Sequence, residues 1–455
     1  MKSIPTACLL LLCCFAFAQQ PLSTTSQEIV FRSVNVVPMD QPRVLENQDV
    51  VIKNGVVLAI GQTGKVKFSK TALIIDGKGK YLMPGLAEMH AHVPPINDIE
   101  PMKEVLMLFA LNGITTIRGM LGHPRHLELR ARINSGEILG PRFLTSGPSL
   151  NGNSVKSTQA AADSVRSQKN AGYDFMKLHP GLTRENFDAI ATTAHELNHP
   201  FAGHVSFDVG VWRAIDAGYA TIEHLDGFVE SLVPGIENIK EQETGLFGMF
   251  IGKNADEKKI PGLIKALKNH GIWVVPTQAL AERWMSPARD VNALANAPEM
   301  VYMSKNTLNS WAKNKESLMN HPNYNAKEIE AFIQLRRKLI FECNKNGVGL
   351  LLGCDAPQVF NVPGFATHHE LTYLVDAGLT PYEALLTGTV NVGKFLKIEN
   401  LGTIKAGAPA DLILIGGNPL ADIRNTQKIE GVMMGKNWLS KEFIDAELKR
   451  IRSGK

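Results

Sequence analysis

The chain opens with short runs in which apolar and polar residues alternate. Residues 29–37, 48–60 and 72–76 carry the two-residue period of half-buried strands, and Lys53-Asn54-Gly55 marks a turn inside the second run. From Pro84 onward the pattern changes to brief apolar runs separated by stretches of helical spacing. The runs 113–117, 142–145, 173–178, 201–205, 220–224, 272–277 and 348–355 predict strands, and 187–197 and 209–217 predict helices between them. Strand–helix alternation at this length predicts a parallel α/β fold, and the repeat count suits a closed (β/α)8 TIM-like barrel over residues 85–397. Strand patterning returns in 412–415 and 429–434. Two chain ends that both read as strands predict one small β-sandwich domain formed from 19–84 and 398–440. Residues 441–455 are left as a C-terminal tail.

The barrel spacing is uneven. A strand–helix unit takes roughly 30 residues, yet His224 and Asp355 stand well over a hundred apart where two units suffice. The surplus, assigned to 228–336 and rich in Lys, Asn and Met, reads either as an inserted helical lid or as a surface excursion without function. Composition adds little: 455 residues, 44% hydrophobic and 20% charged, with a formal net charge of +4 and no basic run. That balance argues against nucleic acid as a partner.

Residues 1–18 change the picture more. Lys2, an apolar stretch over 7–15 and Ala16-Phe17-Ala18 have the form of a cleavable signal peptide. The apolar run is far shorter than the roughly 20 residues a membrane span needs. Neither Cys13 nor Cys14 follows the small residues that lipoprotein processing prefers. Cleavage after Ala18 and export, to a periplasm or the exterior, are expected. Cys343 and Cys354 then remain, too few for a disulfide framework and read as two buried thiols.

Candidate chemistry lies at the strand ends. His90 and His92 stand two apart in a strand, so both imidazoles face one side and can reach one cation. Lys177 shares a strand face with Phe175, which points its ammonium inward. A lone buried ammonium is costly. It either meets a carboxylate or, as a neutral amine, reacts with carbon dioxide to give a carbamate. His204 ends the run 201–205, His224 ends 220–224, and Asp355 ends an apolar run with Leu351 and Gly353 on its face. Barrel enzymes keep their chemistry at the C-terminal tips of several strands. Four histidines, a lysine and an aspartate in this order form such a set.

In these residues the chain resembles the amidohydrolase superfamily, in particular its prolidase-like and imidazolonepropionase-related branch. The likeness rests on Pro84-Gly85-Leu86-Ala87-Glu88-Met89-His90-Ala91-His92, Lys177, His204, Ile222-Glu223-His224, Gly353-Cys354-Asp355, and Gly402–Gly407 through Ala410-Asp411-Leu412. It implies His90, His92 and Asp355 on one metal ion, His204 and His224 on a second, and Lys177, carboxylated, bridging them. It further implies two divalent ions that activate water; mixed His, Asp and carbamate ligands suit zinc, and manganese or cobalt fit too. Asp355 is then the catalytic base and acid. The substrate implied is a small amide, a dipeptide or an N-acyl amino acid, cut by a monomer or a homo-oligomer without a membrane span. Three positions depart from the family: Glu88 where Asp is common, Arg118-Gly119 where Arg-Asp is common, and Leu225-Asp226-Gly227 after His224.

Other readings stay in view. A mononuclear deaminase or cyclic-amide hydrolase of the same fold would lack Lys177 and place a glutamate just after His204, where Val205-Ser206-Phe207-Asp208 stands. A binding protein without activity would have lost ligands. His195-Glu196-Leu197-Asn198-His199 spells a zinc-peptidase helix, with Glu223 downstream as a third ligand, but Pro200 pushes His199 out of helical space. His123, His126, His270 and His321 read as solvated. His368 and His369, ahead of a helix near the last strand, read as structural or, for one of them, as lining the mouth. Arg118 reads as a clamp for a substrate carboxylate or as half of an ion pair.

Overall fold

The protein is described by a computed structural model over residues 22–23 and 27–455; the leader read at 1–18 lies outside these. Its first strands are β1 (Leu22–Ser23), β2 (Ile29–Val36), β3 (Leu45–Lys53), β4 (Val56–Gln62), β5 (Leu73–Asp76) and β6 (Tyr81–Pro84). The parallel strands follow: β7 (Leu86–Ala91), β8 (Ile114–Gly119), β9 (Arg142–Thr145), β10 (Met176–Leu178), β11 (Phe201–Gly203), β12 (Thr221–Glu223), β13 (Trp273–Val275) and β14 (Gly349–Leu350). The chain closes with β15 (Leu412–Ile415), β16 (Ile429–Met434) and β17 (Asn437–Ser440).

Both chain ends share one nine-stranded sheet in the order β1-β17-β16-β15-β6-β2-β3-β4, with β5 on the flank of β2. The β3–β4 turn is Asn54-Gly55, both at positive φ (52° and 78°), the pair that a two-residue hairpin requires. Phe31 on β2 meets Trp438 on β17 edge-on at 5.1 Å between ring centroids, although their strands stand four apart in the sheet. Four strand spacings amount to roughly 19 Å in a flat sheet, so this one curls back over its own apolar face. Ile29, Val50, Leu412 and Met433 fill the space between.

The remaining strands form two parallel sheets, β7-β8-β9 and β10 through β14 in sequence order. The sheets are joined at both ends. Asp174 N–H donates to Thr145 O (3.0 Å) and Leu150 N–H to Lys177 O (2.9 Å), tying β9 to β10. Met89 N–H donates to Leu352 O and His92 N–H to Ala356 O, both at 2.8 Å, tying β7 to the chain beyond β14. Every residue of β7 and β8 is buried, as strands covered on both faces should be. Helices such as Thr158–Ala171, capped by Ser157 and ended by Gly172 at φ 87°, cover the outside.

Two sequence expectations need correction. The segment 228–336 is not one insertion, because β13 lies in its middle and pairs with both β12 and β14. The surplus divides into short helical pieces on either side of that strand. Residues 441–455 are not a tail but mostly the helix Lys441–Ser453, which buries Phe443, Ile444 and Ile451. Cys343 and Cys354 are free and buried, as read. Among the described residues no helix is long and apolar enough to cross a membrane.

Candidate metal centre

The six expected residues converge at the C-terminal ends of the parallel strands. His90 comes from β7 and His92 follows it; Lys177 sits within β10; His204 and His224 directly follow β11 and β12; Asp355 lies five residues past β14. His224 and Asp355 adopt left-handed backbone (φ 63° and 64°), as does Thr277 after β13 (φ 46°). Each such residue costs about 1–3 kcal/mol in a non-glycine chain and gathers where function demands it.

Ligating atoms lie close together. His92 Nε2 is 2.7 Å from Asp355 Oδ1, His90 Nε2 is 3.7 Å from the same oxygen, and the three side chains together could hold an ion. Two ligands bound at about 2.1 Å to a common zinc-type ion stand roughly 3.0–3.4 Å apart, which these spacings bracket. Asp355 Oδ1 is buried and, despite His92 at 2.7 Å, has no aligned hydrogen bond. That is proximity without a shared proton, the arrangement of two donors on one cation. His204 and His224 stack nearby, 4.5 Å between centroids, with His224 again 4.5 Å from His90.

A second layer orients the rings. His90 Nδ1 donates to Glu223 Oε2 (2.7 Å) and His204 Nδ1 to Asp226 Oδ2 (2.9 Å); His224 Nδ1 meets Thr277 Oγ1 at 2.8 Å. In each case Nε2 is left free for a ligand. Burial, followed by the nearby Lys177 and neighbouring rings, holds the His90 and His204 pKa far below the usual value. Both are thus neutral donors, which metal binding requires.

Lys177 is wholly buried, and among the described residues the hydrogen-bonding group its Nζ meets is His90 Nε2, at 3.5 Å. Among the described residues no carboxylate lies within ion-pair distance of it. Burial draws its pKa down to about 8, against the pull of Glu223 and Asp355. A free amine is therefore accessible near neutrality, as carbamate formation needs.

Arg118 does not face a substrate. Its Nη2 donates to Glu223 Oε1 (2.7 Å), Nη1 to Thr221 Oγ1 and Nε to Met89 O, while Phe175 and Phe395 cover its faces. With each of its three nitrogens engaged and 2% exposed, it is the inner half of an ion pair. Glu88 takes bonds from Cys354 N–H (2.8 Å), Cys354 Sγ–H, Thr367 Oγ1–H and His90 N–H, pinning β7 to the segment that ends in Asp355.

Among the remaining histidines one departs from expectation. His126 is buried against Pro94 O and Thr145 rather than solvated. His368 and His369 lie inside the helix Phe365–Asp376, on Thr426 and Glu299, away from the mouth. The zinc-peptidase spelling fails in space. The helix Arg184–Glu196 ends before His199, and His195 is committed to Ala217 O.

Sequence reasoning missed His179. Its ring stacks on His204 at 4.9 Å, lines the cavity, and leaves Nδ1 buried without a partner. The cavity, about 670 Å³, opens over all these groups and is walled by Phe247, Leu246 and Trp284 from the segments beside β13.

The family described as "Amidohydrolase family" matches residues 81–439. The ochratoxinase of Aspergillus niger is 23% identical over 85% of this chain and 81% of its own length. A bottromycin amidohydrolase structure superimposes with a TM-score of 0.70 at 20% identity, covering 93% of this chain and 90% of that one. A Xaa-Pro dipeptidase with methionine bound in its active site gives 0.65 at 19%, covering 91% and 100%.

Proposed function

Because the chain belongs to the amidohydrolase family, and so acts on C–N bonds, we propose that it cleaves the amide of a dipeptide or an N-acyl amino acid with divalent cations bound at the strand ends. The carrying observation is Asp355 Oδ1, buried and crowded by His92 and His90 with no hydrogen bond of its own. His90, His92 and Asp355 would hold one ion, and His204 and His224 a second. Lys177, as its carbamate, would stand between them. Mixed imidazole and carboxylate donors suit zinc. When bound, such ions lower the pKa of water towards neutrality and polarise a carbonyl.

The protein's own groups do the rest. Glu223, Asp226 and Thr277 fix the three rings, so that little reorganisation accompanies the reaction. Asp355, through the carboxylate oxygen that the ion would leave free, takes the proton of the attacking water and returns it to the leaving nitrogen. Phe247, Leu246 and Trp284 keep bulk water from the apolar side of the cavity, the part a lid would play. The two joined sheets are read as a closed (β/α)8 barrel over 85–397, and the curled sheet as the small sandwich of 19–84 and 398–440. Export behind a leader cleaved after Ala18 completes the reading.

Metal content of the freshly purified mature protein tests it, with Lys177→Ala alongside. About two ions in the parent, and loss of metal and amidase activity together in the variant, are expected. One ion indifferent to Lys177 would favour a mononuclear site, and none after metal-replete growth would overturn the reading.

A further inference from the structure

The cavity wall is short of positive charge. Asp226, Glu230, Glu237 and Glu241 line it beyond the metal centre, against Lys259 alone, and no arginine reaches it. Asp226 is committed to His204 Nδ1 and Val205 N–H. Glu237, Glu241 and Lys259 are exposed at the rim, where water screens them.

Glu230 differs from these. Part of its residue surface is open to the cavity, but the carboxyl end is enclosed, and Oε2 is buried with no hydrogen-bond partner. Burial, and then the charge of Asp226 beside it, push its pKa up to about 8, against the pull of its own backbone N–H, Arg336 and Gly227 N–H. Gly248 packs against it so closely that a Cβ there would lie 3.1 Å from Glu230 Cδ. Among the described residues it has no ion-pair partner. Arg336, whose charge acts on it, hydrogen-bonds instead to Gln278, His224 O and Pro276 O. An enclosed carboxyl oxygen without a partner is incomplete until one arrives, and a cation would both supply a donor and favour the ionised form.

We infer that Glu230 receives a protonated amine of the substrate, so that the enzyme takes aminoacyl amides with a free α-ammonium in preference to N-acyl amino acids. This rests on the amide-hydrolase reading and chooses between its two substrate classes. Trp212 and Leu246, both on the cavity wall and both unusually exposed for their size, provide the apolar surface for the side chain beside that amine. An acyl cap in place of the ammonium leaves Glu230 Oε2 unpaired and adds bulk against Gly248. The carboxylates on the wall oppose any further anion.

Two measurements on the metal-loaded mature protein test it. In the first, kcat/KM is compared for leucyl-phenylalanine and its N-acetylated form. At least a tenfold advantage for the free amine is expected, and Glu230→Gln should shrink it to less than threefold. In the second, calorimetry compares 2-phenylethylamine with 2-phenylethanol, which needs no turnover. The amine should bind at least tenfold tighter in the parent and not in Glu230→Gln. Equal cleavage of both peptides, or equal affinity for amine and alcohol in the parent, overturns the assignment while leaving amide hydrolysis standing. Glu230-dependent amine binding without cleavage of either peptide sustains the ammonium site and overturns the hydrolytic reading instead. Weakening of amine and alcohol alike by Glu230→Gln reduces Glu230 to a structural part and overturns the inference.

Discussion

Glu223 faces two ways, one oxygen on His90 Nδ1 and the other on the buried Arg118, with Thr221 Oγ1–H on that second oxygen as well. Removing either partner of the Arg118–Glu223 pair strands a charge in the core. Arg118→Met should cost about 3–5 kcal/mol, read as a lower urea midpoint at unchanged slope. Glu223→Gln acts on the metal as well, because His90 loses its carboxylate acceptor. Affinity for the bound ion should fall about 10–100-fold, measured by competition with a chelator, whereas a merely structural Glu223 would leave it unchanged. The six candidate ligands were legible in the sequence, since each is a polar residue at the end of an apolar run. Their supports were harder to read. Asp226 and Thr277 act across strands, and nothing local says which ring each will meet. Glu223 did carry a signal, an acid inside an apolar strand, but it was read only as a third ligand for the rejected zinc-peptidase motif, not as the partner of His90 and Arg118.

Away from the metal, three elements are held by one acid. Glu299, in the short helix Pro298–Tyr302, binds Arg283 of the turn Ala281–Met285 and His369 of the helix Phe365–Asp376, both at 3.0 Å. Burial pushes its pKa up, but the His369 hydrogen bond and charge, with Arg283, bring it from 4.5 down to about 2. The folded pKa is the lower one, so the ionised acid stabilises the fold above pH 4.5 and the benefit drains away as pH falls towards 2. By linkage it amounts to roughly 3 kcal/mol at most. The stability gap between the parent and Glu299→Gln should therefore be widest above pH 4.5 and close in acid; a gap that holds constant down to pH 3 would contradict this. Element order was readable from periodicity, while lengths were not. β14 is two residues long and β13 three, because polar ligands and tight turns interrupt the ladder where the site begins. The helix Lys441–Ser453 escaped notice because only a few of its residues are apolar enough to show the period, although Ser440 caps it.

At the scale of the molecule, the curled sheet depends on one aromatic contact. Gly431 leaves room for the Trp438 ring, which would lie 2.0 Å from a Cβ there, and Phe31 meets the ring edge-on. Trp438→Ala should cost about 3–5 kcal/mol, seen as a lower thermal midpoint with metal content intact. That chain ends share a sheet was foreseeable from strand patterning at both termini; its curl was not, because it arises from contacts between strands remote in sequence. The hydrogen bonds from Met89 and His92 to Leu352 and Ala356 carry a consequence in time. They join the first parallel strand to the last, and roughly 260 residues of synthesis separate the two halves of the ion-binding cluster, about 13–50 s at ribosomal speed. Until Asp355 emerges, a nascent chain has histidines but no completed cage. On the two-ion reading proposed above, ion capture waits for Asp355, and a chain stalled or cut before that residue should leave the ribosome empty of metal.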